Sequence, residues 1–508
     1  MTDEEIFTLL RSDNPLVVIE APAGCGKTFQ GASYANSVAQ VNKSGRVLIL
    51  THTHAACSVF SDNTKDVKSK IEIKTIDALV SQIATAYYKT LGLPKDPVTW
   101  ARQNGNDGFT VLAKNVSRLL DLNSIITSVL VERYPIIICD EYQDSNLEQH
   151  NILMSLYNAG AKLRIFGDPM QRIYGTRSDK AIVQDRNRWA NLKEEGKFGD
   201  LENPHRWSDG SSALGKWILE ARNSLLIGNP IDLTTALPKG LVALRVDNVA
   251  RNPKGYQFNR EQRRAIDHFL KGNSEYLILA STNNIVQELR AAFYRRIPIW
   301  EGHTRNSLSI LVDDISESCG DVNKIAESVV QFISQVTTGF SRSSFGNRFI
   351  KEVKNGCEVK TRDKPKCLQE LGRYLILNPN HHGVSKLLSS LKLLITKGDF
   401  GFNDIKIDYN REFNDAIRLT DYDDPVIGFS DITKKRSYSR PKPPKRCLST
   451  IHKAKGLQCE NSIVMACDKK NFSSSNYARC KLYVALSRAK SSLILVVPND
   501  DPSPLLKI

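Results

Sequence analysis

The sequence predicts an α/β fold of two lobes, each built on a parallel sheet, with mainly helical accessory insertions. Three observations carry this prediction. Four short apolar runs, Leu16 to Glu20, Val47 to Leu50, Ile136 to Cys139 and Leu163 to Phe166, each give way to glycine-rich or polar residues. Short, mainly apolar runs of this kind suit strands buried on both faces, with their chemistry at the carboxyl edge of the sheet. A second set, Tyr276 to Ala280, Asn461 to Ala466 and Ser492 to Val497, is interrupted by a long polar stretch of helical character. Finally, 508 residues are more than one compact core organises.

The expected division follows the runs. Residues 1–80 and 126–205 make the first lobe, with a small accessory insertion at 81–125. Residues 206–310 and 446–508 make the second lobe, and 311–445 form a second insertion. That insertion ends in a basic tract from Lys434 to Arg446, which reads as an extended linker or as a strand holding a polyanion.

Composition narrows the class. A hydrophobic share of 41% and a charged share of 25% are ordinary for a globular protein. No apolar run approaches the roughly 20 residues of a membrane span. The start, Met1-Thr2-Asp3-Glu4-Glu5, is acidic and lacks the pattern of a signal peptide, so a cytoplasmic protein with no membrane partner is expected. The ten cysteines are scattered without a C-x-x-C pair and read as reduced packing residues. Seventy Lys and Arg against 55 Asp and Glu give +15, which favours a polyanionic partner.

The chemistry concentrates in two places. Ala21-Pro22-Ala23-Gly24-Cys25-Gly26-Lys27-Thr28 follows a strand and opens a helix, the setting in which backbone N–H groups cradle phosphates. The backbone of Ala23, Gly24, Cys25 and Gly26 would form the cradle, Lys27 would reach the terminal phosphates, and Thr28 would offer its hydroxyl to Mg2+. The run Ile136 to Cys139 delivers Asp140 and Glu141, one carboxylate for Mg2+ and one to polarise the attacking water. Together they indicate a nucleotide hydrolase.

Asp140-Glu141-Tyr142-Gln143-Asp144 closely resembles the second motif of the UvrD/Rep branch of superfamily 1 helicases. Further segments resemble that family in its own order: Thr51 to Ala56, Gly167 to Gly175, Leu201 to Arg206, Ser449 to Gln458 and Tyr483 to Ala489. The resemblance implies RecA-like lobes, ATP and Mg2+ as cofactors, and 3′-to-5′ movement on single-stranded or partly duplex DNA. It implies that Gln171 links the terminal phosphate to the DNA path, and that Arg206 and Arg488 meet that phosphate from the two lobes. Phe29, His205, Gly456 and Gln458 fall at nucleotide positions. Thr51, His52, Thr53, Thr75, Tyr174, Arg177 and His452 fall on the DNA path, with Tyr174 stacking on a base. The small second insertion is similar to the helicase component of Gabija-type anti-phage systems, which acts beside an OLD-family nuclease.

Several positions depart from the family pattern. Met1 to Asn14 contains no glutamine to read adenine, and Phe29, His205 and Gln458 replace an arginine, a tyrosine and a glutamate around the same pocket. Phe29 and His205 can still sandwich a base, so weakened discrimination between ATP and GTP is expected. His52 and Thr176 stand where the family has aromatics, which predicts a DNA-stimulated ATPase with modest unwinding unless a partner assists. The competing readings are a DNA-sensing ATPase switch and an RNA motor. A fused nuclease is not expected, because the tail after Arg488 is too short for one.

Overall fold

The computed structural model describes residues 1–41, 44–104, 108–175, 178–246, 258–293, 296–301, 306–318, 320–399, 401–439 and 443–508. The chain divides into two units, Met1–Trp300 with Lys442–Ile508, and Glu301–Pro441.

In the first unit, β1 (Leu16–Glu20), β2 (Val47–Thr51), β3 (Ile71–Thr75), β4 (Ile136–Cys139), β5 (Lys162–Gly167) and β6 (Lys197–Asp200) form one parallel sheet. Its order is β3-β2-β4-β5-β1-β6. Successive side chains point to opposite faces, and both faces are covered. Val17, Ile19, Val47, Ile49, Ile138 and Phe166 pack with Ala32, Tyr34, Ala35 and Ala39 of the helix Lys27–Val41. On the other face Leu16, Val18, Leu48, Leu50, Ile137, Leu163 and Ile165 meet helices Ile76–Ala86, Gly108–Leu122 and Leu147–Asn158. Leu112, Val116, Leu119 and Leu120, within the stretch expected as a small insertion, belong to this same apolar cluster and not to a core of their own.

Arg164 interrupts the apolar pattern of β5 yet is fully buried. Its guanidinium donates to the carbonyls of Leu10 (2.8 Å), Ser12 (3.0 Å) and Asn14 (2.9 Å). It thereby satisfies carbonyl groups left open where the helix Asp3–Leu10 ends.

Beyond this sheet come β7 (Ile231–Asp232), β8 (Leu241–Val246) and β9 (Tyr276–Ala280). The second unit carries the two-residue strands β10 (Thr337–Thr338) and β11 (Lys406–Ile407), which pair antiparallel. The chain then forms β12 (Arg446–Thr450), β13 (Cys459–Val464), β14 (Ala489–Pro498) and β15 (Leu506–Lys507). The second sheet is parallel in the order β12-β9-β13-β14-β8, and β15 pairs with β7. The α/β fold is therefore a pair of parallel-sheet, RecA-like lobes. Both lie in the first unit, and Trp207, Leu214, Ile218 and Leu225 share one apolar cluster with Ala23, Met170, Tyr483 and Leu493.

The second unit is mainly helical and buries Leu311, Val329, Phe332, Leu388 and Phe413. The basic tract requires a correction. Residues 434–439 are not extended but end the helix Pro425–Ser439, while 440–442 lie outside the described residues. Lys434-Lys435-Arg436 are good helix formers, and the first proline after them is Pro441. Among the described residues no helix is long and apolar enough to cross a membrane, and the described cysteines are free, most of them buried.

Candidate functional site

The carboxyl ends of β1, β2, β4 and β5 meet at one edge. Ala21 N–H donates to Gly167 O (3.0 Å) and Asp140 N–H to Leu50 O (2.9 Å), which ties the loop after β1 to β5 and the turn after β4 to β2, with β5 between the two openings. The loop turns through Gly24 (φ +81) and Gly26 (φ +86), a region side chains avoid. A Cβ at Gly24 would come within 2.6 Å of Arg206 Cβ and 2.9 Å of the Trp207 ring. The glycine thus serves both the turn and the approach of a second segment. Cys25 points into the core, where burial raises its thiol to about 12, so it offers the site only backbone.

Lys27 Nζ, nearly buried, donates to Ala21 O (2.9 Å) and lies 3.9 Å from Glu141. Thr28 Oγ1 donates to Asp140 Oδ2 (3.3 Å). Burial, and then the charge of Glu141, push Asp140 up to about 7. Burial also opposes ionisation of Glu141, but Lys27 and Lys455 outweigh it and bring Glu141 down to about 2. Lys27 and Lys455 hold Glu141 charged, while at Asp140 Lys27 offsets only part of the effect of burial and Glu141, so the oxygens of Thr28 and Asp140 would suit a hard cation. Glu141 adopts φ +55, a left-handed conformation costing about 1–3 kcal/mol, and Gln143 Nε2 donates to its carboxylate.

The opposite wall comes from the second lobe. Arg488 is buried and donates to the carbonyls of Val484 (2.9 Å) and Leu457 (2.8 Å) and to Ser487 Oγ (2.7 Å). Burial, followed by the nearby charge of Arg206, lowers it to about 9. Arg206 donates to Ser487 O (2.6 Å), while its Nε is buried without a hydrogen-bond partner among the described residues. Neither arginine pairs with a carboxylate among the described residues. With Lys27, Lys455, Gly456, Gln171 and Thr53 they line a cavity of about 230 Å³. Asp140, Glu141 and Asp144 line the same cavity and answer Lys27 and Lys455, which leaves the two arginines as the cations that favour a polyanionic occupant.

Several site residues escaped the sequence reading. Lys455 crosses from the second lobe to Asp144 and to Gln171 O (2.7 Å), and sits 3.9 Å from Glu141. Tyr483 OH accepts from Ala23 N–H of the phosphate loop (2.8 Å). Arg222 binds Asp168 and Glu20 at the ends of β5 and β1. Each belonged to a recognisable segment or an ordinary helix, and only its partner across the cleft gives it meaning.

The remaining expected residues divide. Phe29 lines the cavity and is 71% exposed. His205 flanks Gly26 and bonds Asp3, whereas Gln458 is exposed and does not line the cavity. Gln171 donates to Asp168 (3.0 Å) beside the cavity. On the expected nucleic-acid path, the hydroxyls of Thr51, Thr53 and Thr75 are engaged locally, Thr51 with Thr53 O and the other two as helix N-caps. His52 meets Ser145 Oγ (2.9 Å). Tyr174 OH donates to His452 O (3.0 Å), and its ring centroid is 6.3 Å from that of His452 and 5.0 Å from Lys455 Nζ. His452 also bonds Tyr477. Arg177, like Thr176, lies outside the described residues.

Residues 98–184 match the UvrD/REP helicase N-terminal domain and residues 446–496 the UvrD-like helicase C-terminal domain. The first segment contains Asp140, Glu141 and Gln171, and the second Lys455, Tyr483 and Arg488. The RecBCD enzyme subunit RecB of Buchnera aphidicola subsp. Schizaphis graminum is 38% identical over 73 residues, 14% of this chain and 6% of that protein. Its counterpart from Buchnera aphidicola subsp. Acyrthosiphon pisum is 24% identical over 130 residues, 25% of this chain and 10% of that protein. The similarity therefore spans no more than a tenth of either relative.

Proposed function

We propose that this chain is an ATP-driven DNA motor of the helicase type, hydrolysing ATP between its two lobes and moving 3′ to 5′ along a single strand. The observation that carries the reading is the convergence of Lys27, Asp140, Glu141 and the second lobe's Arg488 on one cavity. The matches to UvrD-type helicase domains at both ends of that cavity support the DNA substrate and, by resemblance, the direction.

In this mechanism the loop from Ala23 to Lys27 holds the phosphates and Thr28 and Asp140 hold Mg2+, which when bound neutralises phosphate charge. Glu141, kept ionised by Lys27 and Lys455, orients the attacking water and accepts its proton. Arg206 and Arg488 balance charge spreading over the transferred phosphoryl oxygens, a role worth roughly 10³ to 10⁵ in rate. Arg488 belongs to the second lobe, so hydrolysis requires closure, and alternate opening and closing moves the strand. Gln171 relays the state of the phosphate toward Tyr174 and His452 on the DNA path.

Phosphate release measured with and without single-stranded oligonucleotide tests this. DNA should stimulate turnover, and Lys27→Ala should abolish it; undiminished turnover by the variant refutes the reading. Strand displacement from 3′- and 5′-tailed duplexes reads direction. Modest unwinding is expected, because the Tyr174 ring already has His452 and Lys455 close by. ATPase without displacement would favour a DNA-sensing switch. The small Glu301–Pro441 unit supports the finer reading of a cytoplasmic motor beside an OLD-family nuclease in Gabija-type defence. Co-purification with a nuclease encoded next door tests that.

A further inference from the structure

We propose that Ser145 is a positioning residue: its hydrogen bond to His52 ties the turn that carries Glu141 to the edge where the DNA strand runs, so that strand binding is passed to the carboxylate that activates water. The inference deepens the motor reading given above and rests on it for the strand.

Glu141 holds φ +55 immediately before the turn Tyr142–Asp144. A left-handed residue that carries a side chain persists only where its surroundings over-determine it, so the contacts of this turn decide where the carboxylate points. Asp144 N–H donates to Glu141 O (3.0 Å) and Ser145 N–H to Tyr142 O (2.9 Å), which closes residues 141–145 into one tight unit. From outside, Asp168 N–H donates to Gln143 Oε1 (3.0 Å), Lys455 donates to Asp144, and Arg188 Nη2 donates to Ser145 O (3.2 Å). His52 adds a further restraint, with its Nε2 2.9 Å from Ser145 Oγ.

His52 differs from the other restraints in where it stands. It follows β2 directly, at the carboxyl edge of the sheet, and the next residue, Thr53, lines the nucleotide cavity. It is partly exposed, whereas Ser145 is buried. One side chain can thus be touched by a strand at the edge while its nitrogen is bonded to the turn. Burial and then Lys455, against Asp77 and Glu141, bring the ring down to about 4, so at neutral pH it is uncharged. What it contributes is a hydrogen bond and an aromatic surface, and substitution separates the two. Phenylalanine keeps a ring and offers no bond; glutamine, whose amide reaches the place of Nε2, keeps a bond and offers no ring. A strand resting on the imidazole fixes its position, and the bond carries that constraint through Ser145 to Glu141.

The test is phosphate release from ATP by the full chain, with and without saturating single-stranded oligonucleotide, for the wild type, Ser145→Ala, His52→Gln and His52→Phe. Oligonucleotide affinity is read in parallel by fluorescence anisotropy. Ser145→Ala should keep its basal turnover and its oligonucleotide affinity, while stimulation by DNA falls roughly fivefold or more through kcat and not through KM for ATP. His52→Gln should keep most of the wild-type stimulation, and His52→Phe should lose it to the extent that Ser145→Ala does, however tightly it binds the strand. Combining Ser145→Ala with His52→Phe should lose no more than either alone, since both remove the same bond. Full stimulation in Ser145→Ala overturns the proposal. So does stimulation that follows the ring, surviving in His52→Phe and failing in His52→Gln, which leaves His52 a stacking residue. If Ser145→Ala does not fold, the contrast between glutamine and phenylalanine at position 52 decides. Wild-type turnover that DNA does not raise overturns the motor reading as well, whereas a stimulated wild type with unaltered variants overturns this inference alone.

Discussion

Replacing Arg222 by methionine should cost about 3–5 kcal/mol of stability, because it strands buried charge. Arg222 lies in the helix Ser212–Ile227, with Nη2 2.8 Å from Glu20 and 2.7 Å from Asp168, and Nε 3.1 Å from Asp168. Glu20 ends β1, and Asp168 follows Gly167, its register partner on β5, so two carboxylates sit side by side at neighbouring strand ends. Asp168 is fully buried. Burial opposes the charge on Arg222, yet the two carboxylates outweigh it and raise the guanidinium above its ordinary range. At an effective dielectric of about 20, each contact amounts to roughly 6 kcal/mol, from which desolvation removes a large part. Methionine fills most of the volume, so the loss reports the charge and not a cavity. Denaturant unfolding measures it. Adding Asp168→Asn to Arg222→Met should recover about 1 kcal/mol or more, since the uncompensated carboxylate is gone. A loss below about 1 kcal/mol for Arg222→Met, or a further loss on adding Asp168→Asn, refutes the reasoning. Glu20 is held below its ordinary range despite burial, by Trp189, Arg222 and Lys193. Its stabilisation is present above its unfolded pKa and fades as pH falls, so the gap between wild type and variant should narrow in acid.

Two further outcomes follow from the same geometry. Arg488→Lys keeps the charge but cannot reproduce three hydrogen bonds to Val484, Leu457 and Ser487, so kcat for ATP should fall about 100-fold or more with little change in KM. A kcat within about threefold of wild type would exclude Arg488 from the phosphate site. His52 is brought down from 6.5 to about 4 by burial and then the charge of Lys455, despite Asp77 and Glu141. Its neutral form is favoured by folding, so this stabilisation is present above pH 6.5 and is lost as pH falls toward 4. Stability measured across that window should decline less steeply in His52→Phe, and an unchanged slope would show that His52 is not the group responsible.

Periodicity made the strands legible: Leu16–Glu20, Ile136–Cys139 and Tyr276–Ala280 have the same bounds in the sequence reading and in the structure. A run apolar on both faces has few alternatives to a buried parallel strand. The edge strand β8 was harder to see, because its interior is partly exposed and its side chains carry a weaker pattern. The basic tract misled for the opposite reason, since charge describes solvation and not backbone conformation, and Lys and Arg continue a helix readily.

By itself the sequence determined which short segments carry chemistry, because a glycine turn before Lys27 and a carboxylate pair after an apolar strand are local requirements. Tertiary structure alone decided which distant groups face them. Arg222 meets Glu20 across 202 positions, Lys455 meets Asp144 across 311, and His205 meets Asp3 across 202. No spacing rule spans such separations, since these pairs are set by how two sheets pack and not by the dihedral preferences of any one stretch.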